Sequence, residues 1–470
     1  MLELTELITD VGDGTITTEN PIRSATARGL ARLSYGILHG IFKGGSAFPG
    51  NLAARIDPDV LRGLARDYDV IIVTGTNGKT LTTSMIVKAL RQQYPDLMTN
   101  PTGSNMMSGI ISAFIAQGRH KGQDRGLAVL EVDEANVAPV SALVNVKAYV
   151  LTNIFRDQMD RYGEFYTTYQ KILDGIEMHP DALVVANGDA PIFSSRELKN
   201  PMRYYGFDTG RHDNLLAPPN TDGVLCPRCE HILHYKERTY SNLGNFFCPN
   251  CGFARPELAY HVSGVTEQTP TSSTFTIDQQ NFTLNIGGLY NVYNALAAYS
   301  VAAEFGVTPA QMADAFAYDE KVFGRQEEII IDGKRVTLVL VKNPVGLNQV
   351  LDMIGHDDQD FALAVLLNAN YADGIDTSWI WDGNFEEFVH DHQQSSYMVG
   401  GERYKDIELR MQVAGVKADA LATAPDLNNV VDWVKGVPEQ HVYLLATYTA
   451  VLQMRKHLAD GGYIAAGFNA

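Results

Sequence analysis

The stretch "TGTNGKT", residues 74–80, sets two glycines, a lysine and a threonine between a short apolar run and a helical pattern. Gly75 and Gly78 let backbone N–H groups turn inward toward an anion, with Thr76 and Asn77 between them. The helix that follows adds its positive N-terminal end. Lys79 neutralises phosphate charge, and Thr80 offers a hydroxyl to Mg²⁺. Glu131, at the end of "LAVLEV", is placed to hold the same ion, which takes oxygen ligands and keeps several waters. The loop is shorter than the common phosphate loop, because Val73 stands where that pattern wants its first glycine.

A second chemical signal is "CPRCEHILHYKERTYSNLGNFFCPNCG". Cys226, Cys229, Cys248 and Cys251 form two C-x₂-C pairs separated by eighteen residues, the spacing of two knuckles around one tetrahedral Zn²⁺. Four thiolates leave no open coordination position, so the metal is structural. His231 and His234 are the substitute ligands, or simply exposed loop histidines. These four cysteines are the only ones in the chain.

A third cluster is "NANYADGIDTSWIWD", where Asp373, Asp376 and Asp382 follow an apolar strand. Acids there serve as turn or cap residues as readily as catalysts. Trp379 and Trp381 alternate, which puts one in a core and leaves the other as an interface anchor, or puts both in the core.

These groups need a scaffold. Between residues 51 and 210 short apolar runs ("DVIIVTG", "GLAVLEV", "KAYVLTN", "DALVVANGD") alternate with helical patterns such as "LTTSMIVKALRQQY" and "FYTTYQKILDGI". The alternation predicts an α/β fold with a mostly parallel sheet, whose ligands bind at the carboxyl ends of strands. Residues 211–262 break the pattern and read as an inserted zinc ribbon. "SSTFTI", "NFTLNI" and the helix "GGLYNVYNALAAYSVAAEFG" follow. A smaller α/β pattern then runs through "VTLVLVKNP", "FALAVLLNAN", "SSYMVGG" and "HVYLLATYTA". The expected units are an N-terminal extension over 1–44, a central ATP-binding domain over 45–325 holding the ribbon, and a C-terminal domain over 326–470.

The chain has 470 residues, 45% hydrophobic and 20% charged, with a net charge of −18. That length calls for two or three domains. The acidic balance argues against a nucleic-acid partner. The few cysteines, with no signal peptide and no apolar run of membrane-spanning length, indicate a reducing, cytoplasmic home. The first twenty residues are acidic and weakly patterned. The next segment, "PIRSATARGLARLSYGILHGIF", carries Arg23, Arg28 and Arg32 without an acid. It reads as a basic amphipathic helix, either packed on the first domain or resting on anionic lipid at the inner face of a membrane.

"TGTNGKT" resembles the ATP loop of the Mur ligase superfamily, which includes peptidoglycan stem-peptide ligases and folylpolyglutamate synthetase. "GGLYNVYNALAA" resembles its Gly-x-His-Asn-x-x-Asn helix with Tyr290 for histidine, which implies that Asn291 contacts adenine. "FGRQE" resembles its Gly-Arg segment and implies that Arg325 contacts nucleotide. "TNIFRDQMD" resembles its Asn-x-x-x-Asp-His-x-Asp segment through Asn153, Asp157 and Asp160, with Gln158 replacing a histidine that helps a magnesium ion. The lysine that relatives carbamylate falls near Leu173, and the closest candidate, Lys171, lies in another register. "LVKNP" lacks the usual ribose-binding aspartate. A UDP-gripping N-terminal domain is not evident.

The ATPase, ribbon and C-terminal segments together resemble, within that superfamily, the synthetase subunits of lipid II amidotransferases. The resemblance implies an ATP-dependent carbon–nitrogen ligase that activates a carboxylate as an acyl phosphate. It would use ammonia from a GatD-like glutaminase partner to amidate the D-glutamate α-carboxylate of lipid II. It assigns catalytic roles to Lys79 and to an aspartate after the strand, Asp376 first and Asp373 second. A stand-alone amino-acid ligase and a non-catalytic zinc-ribbon scaffold are the competing readings.

Overall fold

The computed structural model describes residues 47–100, 103–118, 120–156, 165–217, 223–317, 326–393 and 395–464, together with Thr26 and Gly29. Apart from Thr26 and Gly29, the basic amphipathic segment lies outside the described residues, as do Asp157, Gln158, Asp160 and Arg325.

Among the described residues nine strands form the larger sheet, in the order β12-β11-β10-β6-β5-β4-β1-β3-β2. Its strands are β1 (Tyr68–Thr74), β2 (Met98–Thr99), β3 (Gly126–Glu131), β4 (Asn145–Leu151), β5 (Leu183–Asn187) and β6 (Met202–Phe207), then β10 (Tyr260–Gln268), β11 (Ser273–Ile277) and β12 (Gln280–Leu284). β1 to β6 and β10 pair in parallel, whereas β11 and β12 close the edge as antiparallel strands. β1 and β3 are continuous apolar runs because helices cover both faces of such a sheet. β1 lies between β3 and β4, so the chain reverses direction across the sheet at its carboxyl end. Open parallel sheets bind ligands at that crevice.

Three helices matter here in this half: α1 (Lys79–Leu90), α2 (Phe165–Ile176) and α3 (Leu289–Glu304). α3 is buried nearly all round, including the polar Asn291, Asn294 and Ser300. A helix of that kind belongs inside the domain, and its polar groups need internal partners.

The insertion folds as a three-stranded sheet, β7 (Leu215–Leu216), β8 (His234–Arg238) and β9 (Gly244–Phe247). Its small core is Leu233, Tyr235, Phe246 and Phe253 with Cys226 and Cys248.

A six-stranded sheet forms the C-terminal α/β domain, ordered β13-β14-β18-β15-β16-β17. The strands are β13 (Glu327–Ile331), β14 (Lys334–Leu340), β15 (Phe361–Leu366), β16 (Tyr397–Gly400), β17 (Leu421–Ala424) and β18 (His441–Ala446). Only the β13–β14 hairpin is antiparallel among the pairs in this sheet. Helices α4 (Pro344–Ile354), α5 (Tyr404–Val413) and α6 (Tyr448–Asp460) pack on it. The loops after β14, β15, β16 and β18 all gather at one end.

Candidate active site

The phosphate loop is held by the strand beside it. Gly75 (φ 130°) and Gly78 (φ 84°) have left-handed backbones. A Cβ on Gly75 would strike Thr152, and one on Gly78 would strike the Asn294 amide. Thr76 N–H donates to the Asn153 carbonyl (2.8 Å), and Asn77 N–H donates to Asn153 Oδ1 (2.8 Å). Asn153 Nδ2 returns a bond to the Asn77 carbonyl (3.0 Å), which also accepts from the Thr152 hydroxyl (2.9 Å). Asn153, singled out in the sequence, thus shapes the loop.

Lys79 is buried and folded back on its own loop. Its ammonium donates to the Gly75 carbonyl (2.5 Å) and pairs with Glu134 Oε2 (3.2 Å). Burial pulls its pKa down, but Glu134, Asp133 and Glu131 more than reverse this, so the group stays protonated. Glu131 is buried at the end of β3, and its Oε1 accepts from Asn105 (3.2 Å). Thr80 sits half-buried at the start of α1. One buried carboxylate and one hydroxyl beside a phosphate loop suit Mg²⁺, which completes its shell with water and phosphate oxygens. Asp133 and Glu134 belong to the polar cluster at the same strand end, Glu131 to Asn136, from which the sequence reading gave a role to Glu131 alone.

A cleft of about 650 Å³, open solvent included, adjoins the loop. Asn77, Gly78, Asn153 and Phe155 line one side, with Tyr240, Tyr290 and Asn294 beside them. Residues 339–343, 345–346 and 349–350 of the C-terminal domain line the other. Asn291 is wholly buried, and its amide donates to the Gly287 carbonyl (2.6 Å). Asn294, three residues on, is the one that lines the cleft, with its amide bonded to Asn291 Oδ1 (3.2 Å). From the far side, Asn343 exchanges amide bonds with Asn77 (3.0 and 3.3 Å) while capping α4 through Gly346 N–H (2.8 Å). Gln326, next to Arg325, reaches the Gly287 carbonyl and the Tyr290 hydroxyl (3.0 Å each). Lys171 is half-buried on α2, and Leu173, two positions on, is in the core. Two positions turn about 200° on a helix, so the pair cannot share a face.

The three aspartates after β15 have different fates. Asp373 is buried and fully used. It accepts from Thr449 N–H (2.6 Å), the Thr449 hydroxyl (2.5 Å) and Asn370 N–H (2.9 Å), which ties the loop to the start of α6. Asp376 is exposed and accepts from Ser378 N–H (2.8 Å) and its hydroxyl (2.9 Å). Those bonds, with Arg156 nearby, hold its carboxyl below the ordinary aspartate value. Asp382 pairs with Arg156, three residues past Asn153. The tryptophans divide: Trp379 is packed against the core and Trp381 is exposed. What fixes this turn is Arg410, buried, bonded to the Ile380 and Gly383 carbonyls and bidentate to Glu386. Asn368, Asn370 and Glu402 extend the polar cluster, with Asn370 Nδ2 on Glu402 Oε2 (3.0 Å).

The four cysteines converge, with all Sγ atoms within 4.8 Å of one another. Cys226–Cys251 and Cys229–Cys248 separations are 3.6 and 3.5 Å. Tetrahedral zinc with bonds of about 2.3 Å needs sulfurs about 3.8 Å apart, whereas a disulfide needs about 2.05 Å. The two knuckles repeat one geometry. Glu230 N–H donates to the Cys226 carbonyl and Gly252 N–H to that of Cys248, while Cys226 and Cys248 N–H donate to His231 and Phe253 carbonyls. Glu230 (φ 58°) and Gly252 (φ 74°) take the left-handed position in each. The thiols therefore fit a structural zinc. His234 instead bonds Asn214 (2.8 Å).

The sheet order and the loop with its acids define a Mur-ligase-type protein. A model of the Mur ligase middle domain matches residues 73–220, and one of the MurT ligase C-terminal region matches residues 340–451. A pseudomurein peptide ligase type C from Methanothermus fervidus shares the fold with TM-score 0.63 at 19% identity, covering 87% of this chain and 83% of that one. MurF ligase from Thermotoga maritima, solved with ADP, gives TM-score 0.59 at 14% identity over 88% and 85%.

More specifically, the chain is 45% identical over 416 residues, 88% of its length and 93% of the relative's, to "Lipid II isoglutaminyl synthase (glutamine-hydrolyzing) subunit MurT" of Streptococcus pneumoniae (strain ATCC BAA-255 / R6). The protein of the same name in Staphylococcus aureus (strain N315) is 33% identical over 84% of this chain and 89% of that one. This chain belongs to the MurT family.

Proposed function

We propose that this chain is the ATP-dependent synthetase subunit of a two-chain enzyme that amidates lipid II. A carboxylate is a poor electrophile until its oxygen is phosphorylated. The phosphate loop binds the triphosphate, and Lys79 exchanges Glu134 for phosphate oxygens. The γ-phosphoryl passes to the D-glutamate α-carboxylate, and ADP leaves. Ammonia then attacks the acyl carbon, and phosphate departs with a carboxylate oxygen, leaving D-isoglutamine. Mg²⁺ held at Thr80 and Glu131 would neutralise the charge that moves during transfer. The chain's own groups position that transfer, and the Asn77–Asn343 pair joins the two walls of the cleft around it.

The observation that carries the reading is the acid-flanked phosphate loop at the crevice between β3 and β4, in a chain with this family membership. Ammonia needs a second protein, since every cysteine here belongs to the metal set and none is left as a nucleophile for glutamine hydrolysis. A GatD-like glutaminase fits that need. Its contact would be the exposed loop after β15, where Tyr371, Ile375 and Trp381 show apolar surface around Asp376. Asp376 would orient a histidine of the partner. Among the described residues no helix is long and apolar enough to cross a membrane. Lipid II would be met at the membrane's inner face. The test mixes the chain with such a glutaminase, glutamine, ATP and lipid II. Amidated lipid II is the expected product, and unchanged lipid II with intact ATP would overturn the reading.

A further inference from the structure

The ribbon is more than an appendage, because its far end enters the nucleotide cleft. β8 and β9 form a hairpin of about 15 Å. The cysteine knuckles lie at one end, and residues 239–243 form the tip at the other. Tyr240 on that tip is 7% exposed, yet it lines the cleft with Gly78, Asn294 and Tyr290. Its ring meets Phe155 at 6.2 Å and Tyr293 edge-on at 5.5 Å. Among the described residues its hydroxyl has no hydrogen-bond partner. Burial keeps that hydroxyl protonated and able to donate.

The tip is also tied down. Thr239 Oγ1 meets the Tyr293 hydroxyl at 2.7 Å, and that hydroxyl donates to buried Asp189 (2.7 Å). Asp189 takes Arg255, four residues past Cys251, at 3.0 Å. Arg255 and the tip therefore share one anchor on α3 and the main sheet. Knuckles and tip belong to one small sheet, and small metal-binding folds draw part of their folding free energy from the metal.

The cleft is lined by two kinds of group: the polar Asn77, Gly78 and Asn294, and the aromatic rings of Phe155, Tyr240 and Tyr290. Phosphates suit the first and a purine the second. We infer that Tyr240 forms a wall of the purine pocket, so that zinc in the ribbon raises affinity for the base of ATP and not for its phosphates. The inference rests on the reading of this cleft as the ATP site and assigns the inserted ribbon a role in it.

The test is equilibrium binding of ATP and of inorganic tripolyphosphate to the full chain. Tyr240→Leu should weaken ATP roughly tenfold or more, the worth of a lost base stack, and leave tripolyphosphate unchanged. Tyr240→Phe keeps the ring and should lose less. Removing zinc with a zinc-selective chelator, verified by metal analysis, should reproduce the base-selective loss in the unmutated chain. Equal losses for both ligands would mark the ribbon as a mere structural prop and overturn the inference, as would unchanged ATP affinity. If the unmutated, zinc-loaded chain binds tripolyphosphate but not ATP, or neither, the ATP reading itself falls.

Discussion

Two loops follow parallel strands, one in each sheet, and they are built in opposite ways. The phosphate loop after β1 is closed: Asn153, Thr152 and Asn343 take up its backbone and amide groups, and Lys79 is buried. The loop after β15 is anchored from beneath, by Asp373 and Arg410, and its outer side is open, with Tyr371 75% and Ile375 63% exposed. A site that must stabilise moving charge gains from exclusion of water and fixed donors. A loop that completes a partner's site must remain uncovered until the partner arrives. Under the proposed function, the contrast would separate chemistry this chain does alone from chemistry it shares with a partner.

The largest effect should come from the closed loop. Lys79→Ala is expected to lower ATP-dependent amidation roughly a thousandfold, whichever nitrogen donor is supplied. Untouched activity would favour a scaffold over an enzyme. The open loop should respond selectively. Asp376→Asn is expected to cut glutamine-driven amidation roughly a hundredfold. Ammonium-driven amidation should be unchanged, and equal losses with both donors would erase the distinction between the loops.

Beneath the open loop the effect should be on folding. Asp373→Ala removes three hydrogen bonds to a buried carboxylate and should destabilise the C-terminal domain by about 2–3 kcal/mol in denaturant melts. The Asp376 titration offers a finer test. Its folded-state pKa is lowered by Ser378, so its ionised form adds stability above the unfolded aspartate value, lost as pH falls through the folded one. Ser378→Ala should move the titration up toward the ordinary value, read by carboxyl-carbon NMR. The smallest effect belongs to the Arg156–Asp382 pair, partly exposed on both sides. Arg156→Ala should cost less than about 1 kcal/mol of stability, and less still in high salt.

The closed loop was legible because its chemistry is local: glycines, lysine and threonine lie within seven residues, and the apolar strand before them is unmistakable. The cysteine cluster was legible for the same reason. Asn343 was not, since its bond to Asn77 spans 266 residues and the sequence has no register for it. The helix motif drew attention to Asn291, while the cleft is lined by Asn294; both asparagines sit on one buried helix, and only packing separates them. Asp373 and Asp376 are the same residue type in one turn, and burial alone tells a structural acid from an available one. The support for the turn that carries the tryptophan pair was not legible, since it comes from a distant arginine on α5.

The central claim is that this chain activates a carboxylate by phosphorylating it. Lipid II carrying oxygen-18 in the D-glutamate α-carboxylate tests it most directly, with ATP, glutamine and the glutaminase supplied. The account predicts one labelled oxygen in the inorganic phosphate released with each amidation. Amidated lipid II formed with all phosphate unlabelled would contradict it.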